Sequence, residues 1–192
     1  MAIIASDLKK YFTQGGGVSD GGAAGSAAVS LGGYRGTVEP TDNTDNNLFD
    51  DISGAEAAAG VTDYRCICLK NTHASLALQN AKVWIVTDEA NASTAISIAV
   101  EVPTLNASTG NAQSVVNEAT APVVNVGNVS NWVASSAANS YVNGIAVNIN
   151  GHSADMAAGN IIFVWVKRVI SASAAAASGI NFTIRLQGDT AA

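Results

Sequence analysis

Valine, isoleucine and threonine together number 47 in this chain, against only 8 leucines. Branching at Cβ restricts the side chain in a helix and packs well on a pleated surface, so this imbalance predicts strands. Alternation locates one of them: Ile180, Phe182, Ile184 and Leu186 are interleaved with Asn181, Thr183, Arg185 and Gln187, as in an antiparallel strand buried on one face. Ile161–Ile170 is a longer apolar strand, and Ala95–Val102 is another, closed by Pro103. Tyr64–Lys70 and Leu76–Thr87 read as a strand pair joined by residues 71–75. Asn143-Gly144 and Asn150-Gly151 are turn signals that bracket a short strand at Ile145–Ile149. The expectation is a mainly β chain, with an antiparallel β-sandwich or jelly-roll-like body over residues 34–192.

Residues 1–33 read differently. Ile4, Leu8, Tyr11 and Phe12 fall at i, i+4, i+7 and i+8, which predicts a short helix over residues 4–12. Eight glycines between Gly15 and Gly33 then predict a mobile or extended arm. A nine-residue amphipathic helix is marginal alone in water, so its apolar face must dock, either on its own body or, the favoured case, on a partner. The arm's reach, on the order of 25 Å, makes Ile4, Leu8, Tyr11 and Phe12 the expected partner-binding residues. Further on, Glu39–Asp51 carries five carboxylates and no base, and Ser53-Gly54-Ala55-Glu56 matches a capping box with Gly60 as the stop.

Several functions are disfavoured by charge. The net charge is −6, and the largest basic concentrations are Lys9-Lys10 and Lys167-Arg168, so neither nucleic acid nor an anionic membrane surface is an expected partner. The longest apolar run, Ile161–Val166, is far short of a membrane span. The start of the sequence lacks a basic n-region, which makes cytoplasmic synthesis the expectation. Cys66 and Cys68 flank Ile67 and would share one strand face as buried, reduced thiols.

Chemistry-bearing patterns are weak. Gly17-Val18-Ser19-Asp20-Gly21 has the spacing of a nucleophile elbow, yet no strand leads into it and no helix follows, so a linker is expected. His73 and His152 fall in turns. Counting from Asp42, the sixth and twelfth places of a calcium-binding loop hold Asn47 and Ser53 instead of Gly and Glu. No catalytic residue, metal ligand or cofactor is therefore expected. Trp84 and Trp165 lie in strands and are expected in the core, whereas Trp132 is the candidate for an exposed contact.

Three stretches carry a resemblance: MAIIASDLKKYFTQGG at the start, NLFDDISGAEAAAGVTDYRCICLKNTHASLALQNAKVWI at 47–85, and RLQGDTAA at the end. Together they span about a third of the chain and resemble virion structural proteins of tailed bacteriophages, of the capsid decoration or cement type. The resemblance implies a non-enzymatic protein made in the host cytoplasm and bound to the outer capsid surface. Its partners would be the major capsid protein and further copies of itself, a trimer being favoured. Alternatives are another virion component (tail, baseplate or head–tail connector) and a carbohydrate- or calcium-binding β-sandwich module.

Overall fold

The structure, a computed structural model, describes residues 2–15, 21–88, 91–103, 110–176 and 181–190. Its strands are β1 (Leu8–Phe12), β2 (Gly32–Tyr34), β3 (Val61–Asn71), β4 (Leu78–Asp88) and β5 (Thr94–Glu101), followed by β6 (Asn111–Ser114), β7 (Val133–Ala134), β8 (Ile145–Ala146), β9 (Ile161–Ile170) and β10 (Phe182–Thr190). One helix, α1 (Gly54–Ala59), precedes β3. All strand pairs are antiparallel, and they form a five-stranded sheet ordered β1-β3-β9-β5-β7, a three-stranded sheet ordered β10-β4-β8, and the pair β2-β6. The chain is thus mainly β with a sandwich-like body, as its composition predicts.

The main core lies between the two larger sheets. Ile67 and Leu69 of β3, Ile96, Ile98 and Val100 of β5, and Ile162, Val164 and Val166 of β9 meet Leu78, Ala81, Val83 and Ile85 of β4. Phe182, Ile184 and Leu186 complete the smaller sheet's apolar stripe, as the alternation requires. Ile180 lies outside the described residues.

The larger sheet is also buried on its second face. Cys66, Cys68, Phe163 and Trp165 point away from the main core and pack with Ala99, Ala112 and Ile161, against Tyr11, Val115, Val124 and Trp132. The two cysteines are reduced and fully buried, as their spacing predicts. The glycine-rich segment, together with β6 and the chain after it, forms this covering layer. Gly32 has φ +87°, and a Cβ there would come within 1.9 Å of the Gln113 carbonyl oxygen and 2.8 Å of the Trp165 ring. Only glycine lets the backbone lie this close.

Three expectations are corrected here. Residues 4–12 are not a helix: Ala5–Asp7 is a 3-10 turn and Leu8–Phe12 is a strand paired with β3, Leu8 opposite Asn71 and Phe12 opposite Ile67. A sheet buried on both faces accepts apolar residues at consecutive positions such as Tyr11 and Phe12, and that run imitates helical spacing. The described part of the glycine-rich arm, residues 21–33, is not extended away from the body, because Gly25, Ser30, Gly32 and Gly33 are buried in it. Finally, β3 and β4 do not pair with each other. Both edges of β3 are taken by β1 and β9, so the chain crosses to the other sheet. Asn71, fully buried, organises the crossing: its Nδ2 donates to the carbonyls of Leu76 (2.9 Å) and Met156 (2.9 Å), and its Oδ1 accepts from His73 N (3.1 Å).

Candidate functional site

The four residues expected to bind a partner do not share one face. Ile4 is 62% exposed, and the Asp7 carboxylate accepts from its backbone N–H at 2.9 Å. Leu8 packs partly buried against the main core, whereas Tyr11 turns to the second cluster with the Arg35 guanidinium 4.8 Å above its ring. Phe12 is buried. Three of the four are therefore engaged within their own chain, and Ile4 remains as the outward apolar residue of this segment.

What anchors the segment is a buried hydroxyl network. Thr13 Oγ1 donates to the Cys66 carbonyl (3.2 Å) and accepts from Gly32 N (3.2 Å), while Thr13 N donates to Ser30 Oγ (3.2 Å). Thr13 and Ser30 are fully buried. Beyond Phe12 the edge of β3 passes to Ser30, whose carbonyl accepts from Cys66 N at 2.7 Å. Satisfying these groups matters because a polar atom stranded in such a place costs about 1–3 kcal/mol.

The acidic stretch makes contacts toward both ends of β3. Lys9 pairs with Glu39 (3.3 Å) and Lys10 with Asp42. Phe49 enters the main core with the guanidinium carbons of Arg168 and Arg65 at 4.5 and 5.8 Å from its ring. Arg168 is held by the buried Asp63 (2.8 Å) and reaches Asp50 (3.6 Å), and Arg65 pairs with Glu118. Next to it, α1 carries both hydrogen bonds of the predicted capping box: Glu56 N donates to Ser53 Oγ (3.3 Å) and Ser53 N to Glu56 Oε2 (2.8 Å). The Ser53 hydroxyl first, and then the Ser53 backbone N–H, hold the Glu56 carboxyl below its ordinary pKa. Among the described residues, no three His, Cys, Asp or Glu side chains are grouped to hold a metal ion.

The remaining candidates are structural in their contacts. His73 Nδ1 accepts from the backbone N–H groups of Ser75 (3.1 Å) and Leu76 (2.9 Å), which makes it a turn histidine whose proton sits on Nε2. Burial lowers the His152 pKa, and the neighbouring Asp155 carboxylate accepts from Asn80 N (2.9 Å). Ser19 lies outside the described residues. Trp165 is a core residue, as expected. Trp84 is not: it sits half-buried on the outer face of β4, under the Arg185 guanidinium at 5.3 Å, because Ala81, Val83 and Ile85 take the inner positions. Trp132 is half-buried against Tyr64 (5.7 Å) and Lys167 (5.2 Å). An open cleft of about 230 Å³ lined by Ile85, Val86, Asp88, Ser135, Ser136 and Asn139 is smaller than usual small-molecule sites.

Sequence reasoning missed the Glu101 network. This 5%-exposed carboxylate accepts from Trp165 Nε1 (2.7 Å), Gln113 N (2.8 Å) and Gln113 Nε2 (3.3 Å). The available signal was a lone acid in the otherwise uncharged run from Thr94 to Pro103. None of the described helices is long and apolar enough to cross a membrane. Compared with known protein families, curated proteins and solved structures, the chain finds no match.

Proposed function

We propose that this chain is a non-enzymatic structural protein of a tailed-phage particle, a decoration or cement protein on the outer capsid surface. It bridges neighbouring major capsid subunits and acts as a homo-oligomer, with a trimer favoured. One observation carries the reading. The three stretches that resemble such proteins are far apart in sequence, yet they supply hydrogen-bonded neighbours: β1 against β3 in one sheet and β10 against β4 in the other. The three stretches thus pair among themselves in both larger sheets, as a shared framework would.

Charge adds support. A net charge of −6 suits the outside of a shell better than a surface facing packed DNA. Cementing needs no cofactor, and weak contacts repeated over several subunits gain from high effective concentration. The test is immunogold microscopy with quantitative mass spectrometry of purified particles. Hundreds of copies spread over the head are expected. A few copies confined to the tail, baseplate or connector would replace this reading with that of another virion component. Saturable binding to a glycan array, or a calcium-dependent rise in melting temperature, would favour a carbohydrate- or calcium-binding module.

A further inference from the structure

The long edges of the two larger sheets differ in how they are finished. The outer edge of β1 is short, carries Lys9 and Lys10, and is covered at its end, since Phe12 N donates to the Val38 carbonyl (3.0 Å) and Gly36 N to the Phe12 carbonyl (2.8 Å). The edge strands β7 and β8 have two residues each, too short to template another strand. β10 has nine residues, and among the described residues no backbone group outside β4 bonds to it. Natural edges are blunted by proline, lysine, a bulge or an inward-pointing charge. β10 holds no proline or lysine, and its inward side chains Phe182, Ile184 and Leu186 are apolar. The ladder between β4 and β10 has two register shifts, but both place the additional residue on β4. Thr183 and Ile184 face Thr87 and Ile85, and Gln187 and Asp189 face Lys82 and Gln79. The outer side of β10 stays regular throughout.

Its outward side chains are Thr183, Arg185, Gln187 and Asp189. We infer that β10 pairs with β10 of a second copy of this chain, antiparallel about a two-fold axis at Gln187, so that Arg185 of each copy faces Asp189 of the other. Charge decides the register. Centring the axis on Arg185 sets Arg against Arg, and centring it on Leu186 sets Arg185 against Gln187. Centring it on Gln187 forms two opposite-charge pairs, which two copies of net charge −6 need in order to approach. On the inner face the same register lays Leu186 over Gly188. That position carries no side chain because a Cβ would come within 2.4 Å of the Gln79 carbonyl oxygen. The product is one continuous six-stranded sheet built from two three-stranded ones.

This contact is two-fold and independent of the particle-level reading above, so it is tested on the isolated full chain. Sedimentation of wild type should show a concentration-dependent dimer. Arg185→Asp and Asp189→Arg should each raise the dimer Kd by about tenfold or more, and the double exchange should restore it. Hydrogen exchange of wild type needs no variant and should show β10 amides becoming protected as concentration rises. A wild type that stays monomeric would overturn the inference. So would an assembly, trimeric or other, that ignores both charge reversals, or β10 protection that is independent of concentration.

Discussion

Glu101 joins three strands, two in the central sheet and one in its cover, through one side chain. It ends β5, receives the Trp165 indole N–H from β9 and takes two N–H groups from Gln113 of β6. Gln113 then exchanges hydrogen bonds with the backbone of Val123, its Oε1 accepting at 2.7 Å and its Nε2 donating at 2.9 Å. Hydrogen bonds to a carboxylate exceed neutral ones in strength, and removing the acceptor strands every donor at once. Glu101→Leu should therefore destabilise the fold by about 2–4 kcal/mol in urea unfolding. Trp165→Phe should cost less, and the double variant should fall short of the sum by about 0.5–3 kcal/mol. Strict additivity would mean that the indole and the carboxylate act separately.

At the scale of elements, β1 is an integral part of the five-stranded sheet. A chain lacking residues 1–14 loses the ladder to β3, the buried Phe12 and Thr13, and the half-buried Leu8 and Tyr11. At about 1.5–3 kcal/mol for each large apolar side chain fully buried, the loss corresponds to a fall in Tm of about 10–20 °C. Unchanged melting would show that the segment is dispensable to the body. The elements legible in the sequence were those whose signal is local. Ile161–Ile170 is β9 residue for residue, the one-sided alternation marks β10, and Ser53 and Glu56 announce α1. Strand partners were not legible, because pairing depends on which edges remain open, and nothing local tells β3 that β1 and β9 will occupy both of its own. The packing of Gly25 and Gly32 was hidden for a related reason: a glycine that permits mobility and a glycine that permits close approach look alike in a sequence. The Glu101 contacts were likewise hidden, since their donors come from β6 and β9.

Taken whole, the molecule has a sheet in the middle and a cover on each side. Cys66 and Cys68 lie under the cover formed by residues 21–36 and 110–132, with no exposed surface. Burial, the Glu101 charge and Cys68, in that order, raise the Cys66 thiol well above its ordinary pKa. The folded state thus keeps a proton that the unfolded state releases near pH 8.5, so stability should fall as pH rises through that range. Iodoacetamide followed by mass spectrometry should find both thiols inert in native buffer and modified together across the urea transition. Modification well below that transition would show that the cover opens as a separate unit.

The ladder between β4 and β10 joins residues roughly a hundred positions apart, and so does the ladder between β3 and β9. A ribosome adding about 5–20 residues per second leaves β3 and β4 waiting on the order of 5–20 s for their partners. During that interval the inward stripe of β4 and the unpaired side of β3 are open to neighbouring nascent chains. The closing of distant segments also places the chain among slow folders, in the range of milliseconds to seconds after release. Demand on chaperones during synthesis is then set by the order in which strands emerge, and a circular permutant that begins at β10 would have that strand made before β4 emerges, removing the wait of β4.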